Sequence, residues 1–110
     1  MGKFDGWLIC SDFDGTLYIN KQIAEEDIRA IRYFQSEGGL FTFASGRFAH
    51  MLDSMGTGIT PNAPMATMNG AIICGGKEGE GSHTVLYRGG IDRDRATSFA
   101  FDIYALLKRF

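Results

Sequence analysis

Apolar positions in this chain fall into short runs of two kinds. Trp7, Leu8, Ile9 and Cys10 are continuous, which predicts a short buried strand. Residues 24–37 follow another rhythm: Ile28, Ile31 and Phe34 recur every third position, as on the apolar face of a helix. Glu25 lies one turn before Arg29 and in position to pair with it. Gly38 and Gly39 stop that helix, and a second continuous run, Leu40 to Ala44, follows at once. Strand, helix and strand in this order predict a parallel pair joined by a right-handed crossover. Further on, residues 48–55 predict a short helix, 65–68 a third strand and 72–74 a fourth, antiparallel piece. Residues 17–21 predict a turn or short hairpin, and the glycine-rich stretch 75–81 a flexible turn, as a hairpin or linker. The pattern closes with a strand at 85–87 and a helix at 93–107, with Phe99, Ile103, Leu106 and Leu107 on one side.

Chemistry collects where the strands end. The first strand runs into Asp12-Phe13-Asp14-Gly15-Thr16-Leu17. Alternation along an extended backbone puts Asp12 and Asp14 on one side. Packing gains nothing from two converging carboxylates, but a divalent cation or a reacting phosphoryl group can be held between them. Gly15 permits a sharp turn off the strand, and the Thr16 hydroxyl can fix it. The second strand ends in Ser45-Gly46-Arg47, just before a helix begins, where free backbone N–H groups attract anions. Plainer readings stay open for each. Asp-Gly is a common turn pair, a serine here can be a helix cap, Arg47 can be a surface or ion-pairing arginine, and Asn69-Gly70 can be a simple turn.

The three strand ends together resemble the haloacid dehalogenase (HAD) superfamily of aspartyl-phosphate phosphotransferases. Asp12-Phe13-Asp14-Gly15-Thr16 is similar to its first motif, Ser45-Gly46-Arg47 to its second, and Pro64-Met65-Ala66-Thr67-Met68-Asn69-Gly70-Ala71 to the strand and Asn-Gly-Ala of its Cof-type (subfamily IIB) sugar-phosphate phosphatases. The resemblance implies an α/β, Rossmann-like core, a parallel sheet with flanking helices, present in its N-terminal part over residues 1–82. Residues 83–110 would begin an α/β cap. It implies that Asp12 is the nucleophile and Asp14 the general acid and base. Mg²⁺ would be held by the Asp12 carboxylate and the Asp14 backbone carbonyl. Ser45 and the backbone at Gly46 would bind the substrate phosphate, with Arg47 and Asn69 as further contacts. The implied substrate is a small phosphorylated metabolite, sugar phosphates foremost.

Composition narrows the alternatives. At 110 residues, 45% hydrophobic and 22% charged, the chain suits one small globular domain. A net charge of −2 gives no reason to expect nucleic acid or an anionic membrane as partner. No apolar run approaches a membrane span, the start lacks a secretory layout, and Gly6 breaks a myristoylation motif begun by Met1-Gly2. A cytoplasmic setting is expected, with Cys10 and Cys74 as small buried hydrophobes rather than a disulfide. His50 and His83 read as ordinary surface or helix residues, and the methionines at 51, 55, 65 and 68 as core.

The departure from the family pattern is the later lysine and the Gly-Asp-x-x-x-Asp loop that completes its metal site. Neither is identifiable within residues 1–110; Gly90-Ile91-Asp92 and Asp94 do not fit the loop. The expectation is a weakly active or inactive chain when alone. The first strand would be left as an exposed apolar edge, favouring self-association or a complementing C-terminal half. A non-catalytic metal- or phosphate-binding module is the alternative. A nucleotide-sugar transferase with a metal-binding Asp-x-Asp is weaker, given Gly15-Thr16 and Ser45-Gly46-Arg47.

Overall fold

The computed structural model describes residues 1–77 and 83–109. Its frame is a five-stranded sheet. The strands are β1 (Leu8–Asp12), β4 (Leu40–Ala44), β5 (Met65–Thr67), β6 (Ile72–Lys77) and β7 (His83–Arg88), adjacent in that order. β1, β4 and β5 run parallel, β6 runs antiparallel to β5, and β7 antiparallel to β6, so that only β6 runs against the other four. A two-stranded hairpin, β2 (Tyr18–Ile19) with β3 (Gln22–Ile23), rises beyond the end of β1. Three helices complete the fold: α1 (Glu25–Ser36), α2 (Ala49–Ser54) and α3 (Arg93–Leu107). This is the α/β, mainly parallel architecture that the strand and helix rhythm predicts.

α1 forms where the three-residue apolar rhythm lies. Ile31 and Phe34 are buried and Ile28 packs against the same core. Glu25, Glu26 and Asp27 occupy its first turn, where negative charge complements the helix dipole. The expected Glu25–Arg29 pair is absent from the ion pairs of the described residues. Gly39 follows the helix because a side chain there would collide with the Phe34 ring, 2.4 Å from an added Cβ. The core itself is aromatic. Phe41 meets Phe43 edge to face at 5.6 Å, and Phe43 meets Phe13 in the same way at 5.3 Å. Asn62 secures the open side of β4, accepting from Phe41 N–H at 2.7 Å and donating to the Gly39 carbonyl at 3.1 Å.

Register sets the site. Asp12 lies opposite Ala44, and Ala44 opposite Ala66. The carboxyl ends of the three parallel strands therefore line up, and the residues that leave them, Asp12 to Thr16, Ser45 to Arg47 and Met68 to Gly70, meet at one end of the sheet. Open α/β sheets bind ligands at this end.

Several expectations are corrected. β1 is the exposed apolar edge expected from the departure from the family pattern, and not the buried strand that its continuous run predicts: Trp7 is 67%, Leu8 57% and Ile9 44% exposed. Cys10 is exposed for the same reason, whereas Cys74 is buried as expected. Gly75, Gly76 and Lys77 belong to β6 rather than to a turn, because β7 supplies a pairing partner; residues 78–82 of the expected turn lie outside the described residues. His83 is not a free surface residue. Its ring bonds to Asp53 of α2 at 2.7 Å and to the Gly75 carbonyl at 3.1 Å. Met65 is in the core, but Met51 is exposed. α3 spans the residues its pattern predicts, with Asp92 as N-cap accepting from Arg95 N–H at 2.9 Å, and none of its residues is buried. No helix among the described residues is long and apolar enough to cross a membrane.

Candidate active site

Alternation holds through the acidic segment. Phe13 is fully buried, while Asp12 and Asp14 on either side of it are exposed. The chain then reverses tightly: Tyr18 N–H and Leu17 N–H both donate to the Phe13 carbonyl, at 2.9 and 3.1 Å, and Gly15 N–H donates to the Tyr18 carbonyl at 3.0 Å. Gly15 sits at φ 78°, a conformation costly for a residue with a Cβ. This turn aims both carboxylates out of the sheet.

The Asp12 carboxylate is held locally. One oxygen accepts from Phe13 N–H at 2.9 Å and the other from the Thr16 hydroxyl at 3.2 Å, the local bond expected of Thr16. Asp12 takes part in no ion pair among the described residues. Asp14 is different. Arg47 grips it in a fork, Nε donating to Oδ2 and Nη2 to Oδ1, each at 2.9 Å. This hydrogen bonding, opposed by slight burial and reinforced by the guanidinium charge, holds the Asp14 carboxyl below the usual carboxylate range. The same pairing raises Arg47 above its ordinary value. The ion-pairing reading of Arg47 is thus realised in this structure.

Ser45 follows Ala44 out of β4 and is buried to 7% exposure. Its N–H donates to the Ala66 carbonyl at 2.8 Å, and its Oγ accepts from Arg47 N–H at 3.0 Å, leaving the hydroxyl proton to donate elsewhere. Asn69 joins the group from the third strand. Its N–H donates to the Ser45 carbonyl at 3.1 Å, and its side-chain Oδ1 lies 3.0 Å from where a Cβ on Gly46 would stand. Gly46 thus allows the close approach. Met68 and Asn69 both have positive φ, 52° and 57°, in a short 3-10 turn (Met68–Gly70) that carries Asn69 to this position. The structure brings Asp12, Asp14, Ser45, Gly46, Arg47 and Asn69 into one surface.

Tyr18 is the participant that sequence reasoning missed. Its ring stacks on Phe13 at 5.0 Å, and the Arg47 guanidinium carbon stands 6.0 Å from its centroid. No motif marks it; only the hairpin brings it back over Phe13.

For a hard cation, the Asp12 carboxylate and the Asp14 carbonyl offer oxygen donors of the right type. No backbone N–H among the described residues bonds to that carbonyl. Two donors are far short of the octahedral shell that Mg²⁺ requires. Among the described residues no group of three or more His, Cys, Asp or Glu side chains gathers to hold a metal. The donor set fits Mg²⁺ in kind and is incomplete in number.

A cavity of about 400 Å³ lies elsewhere, lined by Phe43, Leu52, Met65, Arg32, His83 and neighbours, and by none of the six residues above. Several of its polar groups are already engaged. Both His83 nitrogens are bonded, and Arg32 gives Nε and Nη2 to the Gly58 carbonyl at 3.0 and 2.7 Å.

The fold finds its counterparts in known proteins. The haloacid dehalogenase-like hydrolase family profile matches residues 9–106, and the chain belongs to that family. A Mycoplasma genitalium protein, named provisionally as a phosphatase, is 39% identical over 66 residues, which are 59% of this chain and 24% of that protein. Among solved structures, a haloacid dehalogenase-like hydrolase from B. subtilis is 30% identical with a TM-score of 0.68, over 93% of this chain and 33% of that one. A Thermotoga maritima protein is 25% identical with a TM-score of 0.67, over 91% and 36%. A HAD subclass IIB sugar phosphatase, 23% identical with a TM-score of 0.61 over 86% and 35%, shares the fold. The chain thus spans about a quarter of the curated relative and about a third of each of these structures.

Proposed function

We propose that the strand-end site belongs to a phosphoric monoester hydrolase acting on small phosphorylated metabolites, sugar phosphates foremost. The observation that carries this reading is the register of β1 and β4, which sets Asp12, a carboxylate with no cationic partner among the described residues, opposite Ala44 and so one position from the buried Ser45. The Asp12 carboxylate attacks phosphorus, the phosphorus–ester oxygen bond breaks, and Asp14 gives the leaving oxygen its proton. Water then attacks the aspartyl phosphate, Asp14 takes that proton, and phosphate and free Asp12 are regenerated. Division into two displacements is the gain from a covalent intermediate. Asp14, two residues on and turned by the Gly15 corner, reaches the leaving group as an acid without competing as nucleophile. Ser45 donates to a phosphoryl oxygen, with Gly46, Arg47 and Asn69 around it. Mg²⁺, held by the Asp12 carboxylate and the Asp14 carbonyl, would supply charge neutralisation for the anionic substrate.

The same reading limits the rate. Neither the motif lysine nor the acidic loop is identifiable in residues 1–110, and loss of one preorganised donor typically lowers turnover by on the order of a hundred- to a thousandfold. A non-catalytic phosphate- or metal-binding module is the second reading, favoured by the two-donor metal set. We further propose that residues 1–82 are core and 83–110 the start of a cap; the unburied α3 supports this for residues 93–107, while β7 stays paired with β6 in the sheet. The apolar β1 edge supports self-association or a complementing segment beside it.

Hydrolysis of an aryl phosphate with Mg²⁺ tests the proposal. Slow phosphate release that disappears in Asp12→Asn and falls in Ser45→Ala supports it. Rates equal to those of Asp12→Asn favour the binding module.

A further inference from the structure

The Asp14–Arg47 pair stands in the way of the reaction just described. Asp14 must hand a proton to the leaving oxygen, yet both of its carboxylate oxygens are occupied by Arg47, each at 2.9 Å. Arg47, for its part, has Nε and Nη2 turned toward Asp14 rather than toward a phosphate. The two groups silence each other. They are also accessible: the Arg47 and Asp14 side chains are 31% and 50% exposed, so a solute reaches both.

The backbone around Arg47 is anchored to the phosphate subsite. Its N–H donates to Ser45 Oγ at 3.0 Å and its carbonyl accepts from Met68 N–H at 3.3 Å, so the long side chain turns on a fixed base. The Tyr18 ring, 6.0 Å from the guanidinium carbon, offers the cation a second face. A phosphate monoester presents paired oxygens that a guanidinium fork fits as well as it fits a carboxylate, and with more negative charge.

We infer that Arg47 is a clamp with two alternative partners, closed on Asp14 in the free protein and transferred to the phosphoryl group when a phosphate monoester binds, so that substrate binding itself releases the acid–base carboxylate. This rests on the phosphatase reading of the site and adds a coupling between its two halves. The exchange breaks two N–H···O bonds to Asp14 and makes two to phosphoryl oxygens; no covalent bond changes. A lysine at position 47 has a point charge without the fork and would hold neither partner in this geometry.

The coupling is measured with inorganic phosphate, at pH 7 and constant Mg²⁺, by calorimetric titration of five forms: the unaltered chain, Asp14→Asn, Arg47→Gln, the double variant and Ser45→Ala. Both positions are solvent-exposed, and thermal melts monitored by circular dichroism verify that each form folds. The clamp predicts that Asp14→Asn, by freeing Arg47, binds phosphate about two- to fivefold tighter, the range of an exposed ion pair. Arg47→Gln binds more weakly, and adding Asp14→Asn to it brings no further gain. If removal of a negative charge were the whole effect, Asp14→Asn would tighten binding equally in both backgrounds, and that additive cycle overturns the clamp. Binding that is additive but lost in Ser45→Ala leaves the phosphate site standing without the clamp. Absence of phosphate binding in all forms overturns both.

Discussion

Phe13 stacks on Tyr18 with ring centroids 5.0 Å apart and planes inclined by only 11°, and this contact fixes the segment between the two site carboxylates. Phe13 is fully buried and also meets Phe43 of β4 edge to face. The hydrophobic core thus reaches up between Asp12 and Asp14 and holds both by their shared neighbour. Phe13→Ala leaves a cavity where three aromatic rings meet. Chemical denaturation should show a loss of about 3–5 kcal/mol, typical for a buried phenylalanine. An effect below about 1 kcal/mol would show that the turn stands without its anchor.

Asp14 should titrate as a held carboxylate. Its pKa is lowered in the folded chain, chiefly by the Arg47 hydrogen bond. A depressed folded-state pKa contributes stability that is present above the unfolded value and lost as pH falls through the folded one. Without a bound phosphate ester, the pair is therefore intact at neutral pH and opens as the pH falls into the acid range. Carboxyl carbon shifts followed by NMR should place the Asp14 midpoint lower in the unaltered chain than in Arg47→Gln. Identical midpoints would show that the pair does not persist in solution.

The β1 edge should be adhesive. Trp7, Leu8 and Ile9 are exposed along a strand with hydrogen-bonding partners on one side only, and such an edge templates pairing with another strand. Light scattering should find mass above that of a monomer, rising with concentration. Ile9→Lys, which sets a charge on the edge, should shift the population toward monomer. A monomer at all concentrations would contradict this.

Much of the fold was legible because its signals are local. Continuous apolar runs mark β1 and β4, three-residue spacing marks α1, and Arg93 to Leu107 form the helix their pattern predicts. The grouping of Asp12, Asp14, Ser45 and Asn69 was legible too, because parallel strands joined by helices align their carboxyl ends. What escaped depends on contacts distant in sequence. Gly75 to Lys77 look like a turn until β7 pairs with them. His83 looks free until Asp53, 30 residues away, meets its ring. Cys10 sits in an apolar run and reads as buried, although the edge position expected for that run already leaves it exposed. For Arg47 the sequence left two readings open, and the Asp14 contact across 33 residues realises the ion pair.

In the proposed reaction Asp12 carries the phosphoryl group. Its most direct test is acid quenching of the chain during turnover of a phosphate monoester with Mg²⁺, followed by borohydride reduction, which converts an aspartyl phosphate to homoserine, and mass mapping. The account predicts homoserine at position 12 and none in Asp12→Asn. Phosphate release without modification at position 12, or modification of another residue, would contradict it.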